Sequence, residues 1–163
     1  MNTNDSKNKV FIIADYFIAK NNKDNKGLTN KKLQKLLYYS QAWNLVHYRK
    51  RLFSDKIEAW VHGPAIKKVY LKFREFGYKN ISMSVDNKEF NCLTSEEKEL
   101  LDAVWDVYGK YDANYLEMLS HSETPWQQAR RDLEKYESSS NEISPRLMRE
   151  FYVKRQEEAK SSA

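Results

Sequence analysis

Imidazole and thiol groups are the usual metal ligands and nucleophile partners, and this chain has few: His47, His62, His121 and a single cysteine, Cys92. None of the histidines stands in an H-E-x-x-H or similarly spaced set. No cysteine lies near enough in sequence to complete a site, so no metal and no cofactor is expected. Nucleophilic catalysis through Cys92 or a serine would need a base and an orienting carboxylate, and the glycine-flanked turn that presents such a nucleophile is missing. Two short constellations remain. If residues 57–61 are extended, Glu58, Trp60 and His62 project to one face. His121-Ser122-Glu123 directly precedes Thr124-Pro125-Trp126. Carboxylates and imidazoles converging beside aromatic rings can do acid–base work. In the plainer reading, Glu58 and Glu123 accept from nearby backbone or histidine donors while Trp60 and Trp126 fill the core. That reading is favoured, and the chain is expected to have no catalytic residue and not to be an enzyme.

Basic side chains suggest a second kind of chemistry. Lys31, Lys32 and Lys35 stand at the start of one helical pattern and Arg49-Lys50-Arg51 at its end. Lys67, Lys68, Lys72 and Arg74 line the outside of another. The chain holds 28 Lys and Arg against 23 Asp and Glu, a net +5, but the balance is uneven. Residues 1–80 carry 17 basic and 6 acidic groups, residues 81–163 carry 11 and 17, so +11 faces −6. Such clusters suit phosphate contacts, and a nucleic-acid-binding regulator using the basic half is the alternative reading. No helix-turn-helix pair with a short glycine turn and no aromatic RNA-stacking signature accompanies them. A solvated face, or a patch for a charged protein partner, is the preferred reading.

The elements that position these groups read mainly as helices. Val10–Ala19 is almost wholly apolar and is expected to be a helix after a flexible start, residues 1–9. Thr29 or Asn30 should cap a helix over residues 30–48, which is apolar on more than one side and therefore central. Residues 57–61 read as a short extended piece paired with Leu52-Phe53. Pro64 is expected to open a helix over residues 64–76, with Gly77 as its stop. The alternation of Ile81, Met83 and Val85 suggests one more short strand. Thr94-Ser95-Glu96-Glu97 is a capping box for a helix with Leu100, Val104, Val107, Tyr108 and Tyr111 inward. Helices over residues 113–119 and 126–134 follow. Ser144-Pro145 starts a last one, with a flexible tail over residues 156–163. The fold class expected is mainly α: a single compact multi-helix domain, with at most a small β element around residues 52–61 and 81–85.

Composition narrows the class further. The 163 residues suit one domain, and one cysteine excludes a disulfide framework. The polar start lacks a signal-peptide core and no long apolar run follows, so a cytoplasmic protein without a membrane span is expected.

Three segments are familiar together. Leu33-Gln34-Lys35-Leu36-Leu37-Tyr38-Tyr39, Ile57-Glu58-Ala59-Trp60-Val61-His62-Gly63-Pro64 and Leu119-Ser120-His121-Ser122-Glu123-Thr124-Pro125-Trp126 occur in this order. In order and spacing they resemble the Panacea antitoxin domain family, the SocA-like and GepA-like phage-associated proteins, from about Val10 to Arg130. The resemblance implies the antitoxin of a bacterial or prophage toxin–antitoxin pair, with its domain over residues 10–155. It would bind and neutralise a cognate toxin encoded by an adjacent gene; toxins of unrelated folds are matched by different members. One member is a proteolytic adaptor that hands its toxin to an AAA+ protease. Some members carry a DNA-binding helix-turn-helix domain, for which no residues are expected to remain here. Ala65 stands where the family usually has a bulkier aliphatic residue, which predicts looser packing. The motif and candidate surface residues are Lys35, Tyr38, Tyr39, Glu58, Trp60, His62, Gly63, Pro64, Tyr70, His121, Glu123 and Trp126. Tyr38, Tyr39, Tyr70 and Tyr78 are the candidate aromatic anchors, and a homo-oligomer is left open.

Overall fold

The apolar run at Val10 becomes α1 (Thr3–Asp24), whose Val10, Ile13, Ala14, Phe17 and Ile18 recur at helical spacing and are buried. The structure, a computed structural model, describes the backbone of residues 3–162 and the side chains of residues 9–162. The segment expected to be a flexible start is therefore helical from Thr3, and Met1 and Asn2 lie outside the described residues. No glycine or proline interrupts residues 20–24, so α1 runs past the expected Ala19 until Asn25 adopts a left-handed φ of 54°.

Thr29 caps α2 (Asn30–Tyr48), its hydroxyl accepting from the Lys32 amide. Arg49, at φ 55°, ends it. This helix is buried on nearly every side and packs against α1 and the later helices. The expectation of a central helix holds, but the polar side chains on it are also buried. Gln41 shows what they do. Its Oε1 accepts from the Leu52 amide (2.7 Å) and its Nε2 donates to the Phe53 carbonyl (2.8 Å), so one side chain fixes the following segment. Leu52-Phe53 therefore forms no strand.

The β element is instead a tight hairpin. β1 (Glu58–Trp60) pairs antiparallel with β2 (Gly63–Ala65) in the register Glu58↔Ala65, Ala59↔Pro64, Trp60↔Gly63. Pro64 thus lies in a strand and not at a helix start. A proline has no amide to offer a ladder, and a two-stranded ribbon has an edge where none is needed. α3 (Lys67–Phe73) begins three residues later than expected and tightens into a 3-10 turn (Arg74–Phe76) that stops at Gly77, φ 55°.

Residues 81–85 form no strand. The Ile81 amide reaches the Leu28 carbonyl (2.8 Å) beside an isolated bridge between Thr29 and Asn80, but the neighbouring chain turns into α2 at Asn30 and leaves nothing further to pair with.

The Thr94/Glu97 capping box forms in both directions and opens α4 (Ser95–Tyr108). Its inward residues are Leu100, Leu101, Val104 and Trp105; Val107, expected inward, is exposed. α5 (Ala113–His121) is capped by Asp112. α6 (Thr124–Ala129) is shorter than expected, and its N-cap is Glu123, one residue before the threonine. It stops at Arg130, whose buried guanidinium turns back to the carbonyls of Ala59 (2.8 Å) and Glu137 (2.6 Å). Ser144 caps α7 (Pro145–Ser161), which continues through the residues expected to be a tail. The architecture is mainly α with one small hairpin. Among the described residues no helix is long and apolar enough to cross a membrane.

Folding also brings the two oppositely charged halves together. Lys9–Glu97, Lys20–Asp102, Lys31–Glu117 and Arg51–Glu142 each pair a cation from the first half with an anion from the second. Lys32, expected on a solvated basic face, is buried. Its ammonium donates to the Gly109 carbonyl (2.5 Å) and lies over the Trp105 ring, and burial lowers its pKa to about 8.

Candidate functional site

The three motif segments meet at the hairpin. α2 supplies Lys35, which is 2 % exposed, and its Nζ donates to the Pro64 carbonyl on β2 (3.1 Å). Burial lowers its pKa to about 7, against the opposing field of Glu117 and with that of Lys31. An ammonium is costly to bury, which is why the neutral form gains ground here. Gly63 makes this approach feasible. It sits at φ 102°, and a Cβ there would lie 2.6 Å from Lys35 Cε and 3.0 Å from Ser120 Oγ. Side chains from the first and third motifs thus close against the glycine of the second.

Behind the hairpin, the third motif holds its backbone. Trp126 Nε1 donates to the Trp60 carbonyl (2.8 Å), and His121 stacks on Trp126 with centroids 4.0 Å apart. Burial lowers the His121 pKa. Glu58 is buried and accepts from Trp60 Nε1 (3.1 Å). His62 does not share a site with Glu58; its Nδ1 lies 2.7 Å from Glu117 Oε1 on α5. Burial pushes the Glu117 carboxyl up, but hydrogen bonds from Lys31 and His62 outweigh it and its pKa is lowered.

Glu123 belongs to a separate, interior cluster. Tyr152 on α7 donates to it (2.5 Å), with Tyr39 at 3.5 Å. Burial raises its pKa to about 7, against the Tyr152 hydrogen bond and the charge of Arg155. Tyr39 stacks on Tyr108 at 4.1 Å, Trp43 donates to the Tyr108 hydroxyl, and Tyr38 packs edge-on against Tyr39. Tyr38 and Tyr39 are fully buried, so neither is an exposed anchor. The two proposed acid–base constellations do not come together as such: Glu58 serves the Trp60 indole, Glu123 serves tyrosines, and Trp126 holds backbone. Among the described residues no three His, Cys, Asp or Glu side chains gather as a metal-ligand set.

In front of the hairpin lies a cavity of about 430 Å³ between α2, the hairpin and α3 with its 3-10 turn. Lys35, Trp60, His62, Gly63, Ala65 and Tyr70 line it, joined by Lys31, Arg74 and Tyr78. Ala65 is buried and forms part of the wall, and its small side chain leaves room on the cavity side. Trp60 and Tyr70 meet edge to face at 5.1 Å, Tyr70 is exposed, and Tyr78 is 99 % exposed. Arg74 and Glu117 escaped the reading of the sequence as site residues. Arg74 looked like one of several cations on a helix exterior. Glu117 lies 55 residues from His62 and 86 from Lys31, so no local spacing could reveal it.

The fold and site define an α-helical domain built around one buried helix, with a hairpin held by all three segments and a basic, aromatic-rimmed recess in front of it. A family model described as antitoxin SocA-like, Panacea domain, matches residues 33–127, and the chain belongs to that family. No curated protein and no solved structure matches it.

Proposed function

We propose that this chain neutralises one cognate toxin, the product of an adjacent gene, by binding it directly in the cytoplasm, as a binding domain and not as an enzyme. The face that would meet the toxin is the rim of the recess: Tyr70, Arg74 and Tyr78, with Trp60 and His62. The observation that carries this placement is Tyr78, a large aromatic side chain 99 % exposed beside Arg74 on the cavity that the first two motif segments line. Tyrosine and arginine are the side chains that most often anchor protein interfaces. Membership of an antitoxin family supplies the class of partner. The family resemblance also allows a route in which the bound toxin is passed to an AAA+ protease.

Nucleic-acid binding is the weaker reading, because Lys31, Lys32 and Lys35 are engaged inside the fold and several other first-half cations pair with second-half carboxylates.

Co-expression with the neighbouring gene product tests the proposal. The wild-type chain should restore growth and co-purify with that product, and Tyr78→Ala combined with Arg74→Glu should abolish both. Absence of rescue and of a complex with the wild-type chain would sink the antitoxin reading. Full rescue by the double variant would displace the interface from this rim. Toxin half-life with and without the protease separates direct neutralisation from adaptor action.

A further inference from the structure

The recess has a chemical bias that its motif residues do not explain: it is lined by Lys31, Lys35, His62 and Arg74 and by no carboxylate. Asn30 and Gln34 on its floor are tied up. Gln34 Nε2 donates to Asn30 Oδ1, Asn30 Nδ2 to the Tyr70 carbonyl, and Gln34 Oε1 accepts from the Ile66 amide. The Trp60 indole is held by Glu58, while Lys31 and His62 Nδ1 face Glu117. Two cations keep most of their donors unused. Lys35 makes one hydrogen bond, to Pro64, which leaves it a free donor whether its amine is charged or neutral. The Arg74 side chain makes no hydrogen bond or ion pair among the described residues, so its whole guanidinium fork is free. The walls are aromatic, with Trp60 and Tyr70 inside and Tyr78 at the mouth. The volume, about 430 Å³, falls within the roughly 300–1,000 Å³ range of small-molecule sites.

We propose that this cavity binds a phosphate-bearing planar ring, the chemistry of a mononucleotide, with the oxyanion received by Lys35 and Arg74 and the ring laid against Trp60, Tyr70 and Tyr78. A phosphate offers acceptors and negative charge, which complements a recess lined by basic side chains and by no carboxylate, and a guanidinium fork matches two of its oxygens at once. A flat ring covers the aromatic wall by stacking and needs no hydrogen-bond readout, in keeping with the engaged Asn30 and Gln34. Gly63 contributes by what it lacks: any side chain there would push Lys35 away from the cavity wall. An acidic side chain would satisfy the donors but leave the aromatic wall bare. This inference stands apart from the antitoxin reading, because it concerns the chain alone with no partner present.

Calorimetric titration of the chain with AMP, GMP, adenosine and inorganic phosphate at fixed salt tests it. AMP or GMP should bind at least about tenfold more tightly than both adenosine and phosphate, a gap of about 1.4 kcal/mol. Arg74→Ala, an exposed change whose fold is checked by circular dichroism, should weaken the nucleotide about tenfold. Lys154→Ala on α7, outside this cavity, should not. Failure of both nucleotides to saturate the chain overturns the proposal. So does phosphate binding as tightly as the nucleotides, or an Arg74→Ala variant of unchanged affinity. Each of these results leaves co-purification with the toxin unaffected, so the two readings fail separately.

Discussion

Replacing Lys35 with methionine keeps the length of the side chain and removes its amine, and the consequence can be worked out from burial. Lys35 ordinarily titrates at 10.5 and in the folded chain at about 7. Between about pH 7.5 and about pH 9 the unfolded chain holds this proton and the folded chain has released most of it. Stability rises with pH wherever the unfolded state binds more protons, at up to about 1.4 kcal/mol per pH unit for one proton. Integrated over that interval, the Lys35 contribution is about 2 kcal/mol of added stability on going from about pH 7.5 to about pH 9. Lys32, lowered to about 8, titrates across the same interval in both proteins, so the difference between wild type and variant isolates Lys35. Urea denaturation at the two pH values measures it. The stability of wild type relative to Lys35→Met should climb by about 2 kcal/mol with pH. Parallel curves, with the two proteins moving together to within about 0.5 kcal/mol, would refute the reasoning that a buried ammonium sits beneath the hairpin.

The Glu123 carboxyl gives the opposite sign. Its folded pKa, about 7, stands above the ordinary 4.5, so the folded state keeps a proton that the unfolded chain releases; the stability this confers is full below 4.5 and is lost as pH rises to about 7. Glu123→Gln should remove that loss, about 3 kcal/mol, and an unchanged pH profile of unfolding from acid to neutral would contradict it. Gly63→Ala combines a left-handed φ of 102° with a Cβ 2.6 Å from Lys35 Cε, and should lower stability by about 2 kcal/mol or more, read as a drop of the thermal midpoint. A midpoint equal to that of wild type would mean that the hairpin is not closed against Lys35.

What could be read from the sequence was what neighbours within a turn decide. The Thr29 cap, the Thr94/Glu97 box and the Ser144-Pro145 start each involve groups three residues apart, and all form where expected. Pro64 misled because the absence of an amide fits both a first helical turn and an edge of a ribbon. Only the pairing with Ala59 selects the second. Lysines and tyrosines were misplaced for a related reason. Their long, amphipathic side chains go inside only if a distant acceptor exists there: Gly109 for Lys32, Pro64 for Lys35, Glu123 for Tyr39. The three motifs were visible as strings, but their meeting at the hairpin depends on its register and on α5, which spacing along the chain does not encode.

The burial of α2 has a consequence for the timing of synthesis. The face of α2 that carries Tyr38 and Tyr39 is covered by Tyr152 of α7, more than a hundred residues later in the chain. At a translation rate of roughly 5–20 residues per second, that face waits on the order of 5–20 s for its cover. During that interval the nascent chain presents an aromatic surface instead of a finished core, open to chaperones and proteases. The folded protein, and with it any capacity to hold a partner, comes into being only when its last helix docks.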